Sequence, residues 1–260
     1  MMQTNPTPYA EVNELVALLL AQIKSIFGQK LVGLYLYGSL VTGDFDPECS
    51  DIDLVAALSS DIDEQECDQL RKMHNDFAQQ HRQWDDRIEV VYLSANALQT
   101  YRSQISQIAV ISPGESLYVR EAGSDWLLNW YIVREKGMTL FGPSPKLLID
   151  PISQEEVLST TREEAKSWRE WIKYTRRRGA QAFAILTMCR AFYTLKEGGV
   201  VSKKRAATWA EKEWPEWSSL IQRALVWREE AWSDEHIDHD ATLPETRQFV
   251  SFAIDQCERL

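Results

Sequence analysis

The sequence predicts an α+β protein, with a mixed sheet and flanking helices in residues 1–150 and an all-helical domain in residues 151–260. Two observations lead to this division. Short apolar runs typical of strands occur almost only in the first part, whereas later apolar residues recur at helical spacing. Between the two parts, residues 141–153 hold three prolines and a glycine, which is typical of a linker. A chain of 260 residues is long enough for two domains with cores of their own.

The first part begins with a helix at 11–27, where seven apolar residues share one helical face and Gly28 follows as a stop signal. The run LVGLYLY at 31–37 predicts a buried strand, and IDLVAAL at 52–58 predicts a second. A polar stretch at 63–81 has helical spacing, and RIEVVYL at 87–93 predicts a third strand. The predicted order is therefore helix, strand, turn, strand, helix, strand.

The second part predicts helices alone. Their expected ranges are 155–178, 180–197, 203–213, 218–232 and 245–260. Seven of the ten tryptophans lie between Trp168 and Trp232, and we expect most of them to pack between these helices.

Composition limits the function classes. The net charge of −11 argues against general nucleic-acid binding, which relies on Lys and Arg, and favours cationic ligands. No apolar stretch approaches the roughly 18 residues of a membrane span, and the N-terminus lacks the pattern of a secretory signal. The four cysteines have no metal-binding or disulfide spacing, which predicts reduced thiols in the cytoplasm. We also expect a monomer.

Residues 36–55, LYGSLVTGDFDPECSDIDLV, carry the strongest chemical signal. Gly38 allows a sharp turn after the strand and a close approach to a ligand, and Ser39 offers a hydroxyl and an N–H group to a phosphate. Asp51 and Asp53 share one face of the next strand because side chains alternate along it. Two carboxylates on one face suit Mg²⁺, which prefers oxygen ligands. Alternatively, they cap a turn or pair with a lysine.

Glu89 is a third acid, set within the apolar strand run Ile88–Tyr92. A charged residue in such a run needs a partner. If this strand lies beside the one that carries Asp51 and Asp53, the three carboxylates converge. Glu89 then acts as a metal ligand, a general base or both. The alternative is an ion pair with a basic residue such as Arg87.

This set of residues resembles the nucleotidyltransferase superfamily that includes DNA polymerase β. Further stretches are similar to the streptomycin/spectinomycin adenylyltransferases. They are Tyr37-Gly38-Ser39, Ser50–Leu54, Gly142-Pro143, Ile149–Pro151, Leu186–Arg190 and Ser202–Lys204. The resemblance implies transfer of AMP from ATP to a hydroxyl of an aminoglycoside antibiotic, with two Mg²⁺ ions bound by Asp51, Asp53 and Glu89. It also implies that Glu89 accepts the proton of the attacking hydroxyl.

The resemblance further implies a nucleotide site built from Gly38, Ser39, Ser50, Arg190 and Lys203. Two of these assignments leave alternatives open. Arg190 lies in an apolar helical run and could instead pair with an internal carboxylate. Lys203 is followed by Lys204 and Arg205, either of which could contact the phosphate in its place.

The acceptor is where the sequence departs from this family. Trp171 matches a tryptophan that contacts the drug, but Arg176 stands where streptomycin-modifying members carry an acid. An arginine at that position would repel a strongly cationic drug, so the sequence favours spectinomycin over streptomycin. Asp85 and Asp86 are the acids expected to face a cationic acceptor. Two alternatives stay open: transfer to another small-molecule or protein hydroxyl, and nucleotide binding without turnover.

Overall fold

A computed structural model describes residues 5–228 and 237–260. The chain divides into two compact units, Met1–Phe45 with Ser50–Pro151 and Asp46–Cys49 with Ile152–Leu260. The first unit is a mixed sheet with helices and the second is helical, which confirms the predicted fold class. No helix among the described residues is long and apolar enough to cross a membrane.

The sheet of the first unit has six strands in the order β5-β4-β3-β2-β1-β6. The strands are β1 (Leu31–Leu36), β2 (Ile52–Leu58), β3 (Ile88–Ser94), β4 (Ser106–Ile111), β5 (Tyr118–Ala122) and β6 (Met138–Phe141). Strands β2 and β3 pair in parallel, and every other neighbouring pair is antiparallel. The observed β1, β2 and β3 match the three predicted strands to within one residue at each end.

The described residues of this unit form five α-helices. They are α1 (Ala10–Phe27), α2 (Ser39–Thr42), α3 (Glu64–Gln80), α4 (Ala95–Thr100) and α5 (Leu127–Lys136). The buried face of α1 runs from Val12 to Phe27 at helical spacing, as its sequence pattern predicted. Helix α3 begins with a capping box, in which Asp63 and Glu66 satisfy each other's backbone N–H groups. Both helices bury their apolar faces in one core with side chains from β1, β2 and β3.

The described part of the second unit contains the α-helices α6 (Gln154–Tyr174), α7 (Arg178–Glu197), α8 (Lys203–Glu213), α9 (Ser218–Trp227) and α10 (Leu243–Glu258). Helix α7 contributes many residues to a core shared by all five helices. Trp214 and Trp227 are buried in this core, and Trp168, Trp209 and Trp217 pack against it. The predicted helix at 218–232 ends at Trp227, and residues 229–236 lie outside the described residues.

Helix α6 ends at Tyr174, whereas its sequence pattern predicted an end at residue 178. The buried side chain of Gln181 on α7 explains this end. Its amide nitrogen donates to the backbone oxygens of Arg176 and His239, both at 2.7 Å. Its oxygen accepts from the hydroxyls of Thr242 and Thr246, both at 2.8 Å. All four hydrogen-bonding positions of the amide are thus satisfied, and residues 175–177 are held as a connection between helices.

Candidate active site

The turn after β1 is shaped by Gly38, which has φ 66° and ψ −140° and caps the short helix α2. This conformation is essentially restricted to glycine. A Cβ atom on Gly38 would lie 1.7 Å from Oδ2 of Asp53. The Asp53 carboxylate therefore rests directly against the Gly38 backbone, and any larger residue would displace it.

Asp53 and Glu89 are direct register partners on the parallel strands β2 and β3. Neighbouring residues in register point to the same face of a sheet, so the two carboxylates lie side by side. Asp51 precedes β2 by one residue and is half-buried, as are Asp53 and Glu89. The sequence required β3 to lie beside β2 for these acids to converge, and the sheet order meets that requirement.

Tyr37 connects both acids. Its hydroxyl donates to Oε1 of Glu89 at 2.8 Å, and its backbone N–H donates to the backbone oxygen of Asp53 at 3.0 Å. The ring is only 5% exposed. Burial, and then the nearby negative charges of Glu89 and Asp53, raise the pKa of Tyr37 well above its ordinary value. Tyr37 is thus a neutral donor beside the two acids. Tyr37 belongs to the sequence motif, but the motif alone does not indicate a role for its hydroxyl.

Arg87 joins the start of β3 to the start of β2. Its guanidinium donates to the backbone oxygen of Ser50 at 2.6 Å, and its backbone oxygen accepts from the N–H of Ile52 at 2.8 Å. The same guanidinium lies over the Trp84 ring, 4.5 Å from its centroid. Ser50 itself is buried. These contacts fix the backbone that leads into Asp51 and Asp53.

Asp85 and Asp86 are exposed in the turn just before β3. Asp86 has φ 58°, a left-handed conformation that aspartate tolerates better than most residues. The turn brings both side chains to the surface near the start of the strand that carries Glu89. A role in binding a cationic acceptor stays a prediction for these two acids.

Metal binding depends on the donor set. Within residues 5–228 and 237–260, no group of three or more His, Cys, Asp or Glu side chains is placed so that it could hold a metal ion by itself. Mg²⁺ needs no such cage, because it is usually held by one or two carboxylates together with substrate phosphates. The adjacent carboxylates of Asp53 and Glu89, with Asp51 two residues earlier, fit a metal that arrives with its nucleotide.

In the second unit, Lys203 and Phe183 form a close pair. The Lys203 ammonium lies 3.6 Å from the centroid of the Phe183 ring, a cation–π contact. Phe183 is 42% exposed and shares a face of α7 with Arg190, seven residues later. Lys203 is the first residue of α8, which Ser202 caps, whereas Lys204 and Arg205 are exposed. Phe183 is not predictable as a site residue, because an aromatic residue in an apolar run indicates a core position.

The expected acceptor residues of this unit are exposed. Trp171 on α6 is 64% exposed, in contrast to the buried tryptophans of the core. Arg176 forms a two-pronged ion pair with Asp240, with Nε–Oδ1 at 2.9 Å and Nη2–Oδ2 at 2.6 Å. This contact raises the pKa of Arg176 and lowers the pKa of Asp240. The positive charge of Arg176, which the sequence predicted to repel a cationic drug, is therefore balanced by Asp240, 64 residues later in the chain.

Comparison with known proteins identifies a known domain family in each of the two parts of the chain. Residues 19–96 match the nucleotidyltransferase domain family, and residues 147–256 match the C-terminal domain of aminoglycoside adenylyltransferase. An aminoglycoside (3'')(9) adenylyltransferase from Shigella flexneri is 24% identical over 227 residues, which cover 79% of this chain and 80% of that protein. One from Rhizobium radiobacter is 27% identical over 120 residues, 46% of this chain and 42% of that protein.

A solved structure shares the fold. The spectinomycin adenyltransferase AAD(9) from Enterococcus faecialis, crystallised with ATP and spectinomycin, superposes with a TM-score of 0.74 at 16% identity. The superposition covers 94% of this chain and 98% of that one. With a nucleotidyltransferase domain that places Asp53 beside Glu89, and with this C-terminal helical domain after it, the chain belongs to the aminoglycoside adenylyltransferase family of nucleotidyltransferases.

Proposed function

We propose that this protein, acting as a monomer, transfers AMP from ATP to a hydroxyl group of an aminoglycoside or aminocyclitol antibiotic and releases pyrophosphate. The observation that carries the proposal is the in-register pair of Asp53 and Glu89 beside the Gly38 turn. Nucleotidyl transfer requires carboxylates for a metal and a base near the attacking hydroxyl, and the pair offers both.

Each acid has a distinct role in this proposal. Asp51 and Asp53, with Glu89, would hold two Mg²⁺ ions together with the phosphates of ATP, and these ions would supply neutralisation of phosphate charge and orientation of the α-phosphate. Glu89 accepts the proton of the acceptor hydroxyl as its oxygen bonds to the α-phosphorus. The bond between the α-phosphorus and the oxygen that bridges the α- and β-phosphates breaks. Pyrophosphate leaves with the electron pair of that bond.

The remaining predicted residues position the nucleotide. Gly38 allows the backbone to approach the phosphates closely, and Ser39 and Ser50 contact the triphosphate. Arg190 and Lys203 supply positive charge to phosphate oxygens. The contact with Phe183 orders the side chain of Lys203 and supports this residue as a phosphate ligand.

For the acceptor, we propose spectinomycin or a ligand of similar size and charge over streptomycin. The exposed ring of Trp171 offers a stacking surface, and Asp85 and Asp86 offer negative charge to a cation. The preference depends on Arg176 in place of an acid. Because Asp240 balances this arginine, we expect a preference smaller than an unpaired charge would produce.

The direct test is mass spectrometry of the reaction products. The purified protein is incubated with ATP, Mg²⁺ and a panel that includes spectinomycin, streptomycin and other aminocyclitols, and each acceptor is searched for an added AMP group. The Asp53→Asn variant, and the wild-type protein with a chelator, serve as controls. An adduct that needs Mg²⁺ and Asp53 supports the proposal. ATP binding without an adduct on any acceptor would indicate a binding module or a different acceptor.

A comparison of kcat/KM for the two drugs tests the preference. We expect spectinomycin to be the better substrate. Equal values for streptomycin would show that Arg176 does not discriminate against it.

A further inference from the structure

Tyr37 directly precedes the Gly38 turn and contacts both Asp53 and Glu89. We propose that the Tyr37 hydroxyl is a positioning group for the reaction, because it holds the carboxylate of Glu89 in the orientation needed to receive a proton. The inference rests on the proposed function, since it assigns a role to a residue that acts through Glu89.

Three contacts carry the argument. The hydroxyl of Tyr37 engages Oε1 of Glu89 at 2.8 Å. The backbone N–H of Tyr37 engages the backbone oxygen of Asp53 at 3.0 Å. The next residue, Gly38, lies against the Asp53 carboxylate. A single dipeptide therefore touches both members of the in-register acid pair.

The hydroxyl constrains the direction of the carboxylate. A glutamate side chain has three torsions, and its terminal torsion is broad, so strand geometry alone does not fix the carboxylate plane. A hydrogen bond to one of its oxygens restricts that torsion and determines where the second oxygen points. A general base must lie within hydrogen-bond reach of the proton that it takes, so a misdirected oxygen lowers the rate without removing the substrate.

Tyr35 provides a matched control on the same stretch of chain. It is fully buried, and its hydroxyl donates to the backbone oxygen of Pro143 at 3.0 Å. Its hydrogen bond thus has similar length and burial, but its partner is a structural carbonyl. A Tyr→Phe change at either position removes one hydroxyl and keeps the ring. The two variants separate a role in catalysis from a role in folding.

The experiment compares wild type, Tyr37→Phe and Tyr35→Phe by thermal unfolding, by the affinity for ATP with Mg²⁺ and by steady-state AMP transfer. For Tyr37→Phe we expect kcat to fall about 10- to 100-fold, the range for a lost hydrogen bond to a charged group, with ATP affinity and acceptor KM within about twofold of wild type. For Tyr35→Phe we expect a lower Tm with kcat unchanged.

A second measurement tests whether Tyr37 acts through Glu89. In the Glu89→Asp background the shortened carboxylate lies out of reach of the hydroxyl, so adding Tyr37→Phe should change the single-turnover rate by less than about twofold. The same fold loss in both backgrounds would overturn the inference, as would a Tyr37→Phe enzyme with wild-type or higher kcat, or an equal kcat loss in Tyr35→Phe. A wild-type protein inactive with every acceptor would refute the proposed function and, with it, this inference.

Discussion

Replacing Gly38 by alanine should separate catalysis from folding. A Cβ atom at Gly38 would lie 1.7 Å from Oδ2, 2.6 Å from Cγ and 3.1 Å from Cβ of Asp53. To reach 3.0 Å, below which real Cβ contacts essentially never fall, the carboxylate oxygen must retreat by about 1.3 Å. The obstructing atoms belong to the end of a side chain, so Asp53 can rotate aside while the fold persists.

The expected magnitude follows from this displacement. A misplacement of about 1 Å in a catalytic group can cost roughly 100-fold in rate, so we expect kcat/KM for AMP transfer to fall by at least about that factor. The positive φ of Gly38 adds a cost in stability of about 1–3 kcal/mol for a residue with a side chain. For a domain of this size, that corresponds to a Tm lower by roughly 2–12 °C.

Gly28 is the matched control for this variant. Its backbone, at φ 51° and ψ −120°, lies in the same region as that of Gly38, but a Cβ there would meet no atom within 4 Å. Gly28→Ala should therefore lose similar stability and keep its activity. The assay is AMP transfer at a temperature at which circular dichroism shows both variants folded. Equal activity losses in the two variants, or a Gly38→Ala enzyme as active as wild type, would refute the assigned contact with Asp53.

Three further predictions concern single residues. Glu89→Gln should retain affinity for ATP and lose about 10²–10⁴ in kcat, because the amide cannot take a proton; a near-normal kcat would end the general-base assignment. Lys203→Ala should raise KM for ATP by at least about tenfold, whereas Lys204→Ala, which removes an exposed cation, should leave it within twofold. Burial lowers the pKa of His74 from 6.5 to about 4. Between pH 6.5 and pH 4, His74 is therefore protonated in the unfolded chain and neutral in the folded chain. The free energy of unfolding consequently decreases as pH falls from 6.5 towards 4. Between pH 7 and pH 4, the free energy of unfolding should therefore fall by about 3 kcal/mol more in wild type than in His74→Gln, as measured by urea denaturation, and parallel pH profiles would contradict this.

The edge of the sheet shows a limit of sequence patterns. Strand β5 (Tyr118–Ala122) has three consecutive exposed residues and only one neighbouring strand, so it carries no alternation of apolar and polar residues. No strand or helix was predicted between β3 and β6. Strands β1, β2 and β3 each lie between two other strands, are buried over most of their length and read as apolar runs, which is why their positions were predictable.

The sequence by itself determined the local features of the site. Alternation along a strand placed Asp51 and Asp53 on one face, and the Gly38-Ser39 pair predicted a turn before them. It also indicated that Glu89 needs a partner, because a charged residue in an apolar strand is costly unless it is compensated. These conclusions depend on neighbours within a few residues, which local sequence specifies.

Only the tertiary structure decided which distant residues meet. The parallel register of β2 and β3 sets Asp53 opposite Glu89, and a shift of one residue would have turned one of them to the other face. The hydroxyl of Tyr37 reaches Glu89 across 52 residues of sequence, and Asp240 balances Arg176 across 64. Such contacts depend on how strands and helices pack as wholes, because side-chain hydrogen bonds and ion pairs form only between groups that packing has already brought within about 3 Å.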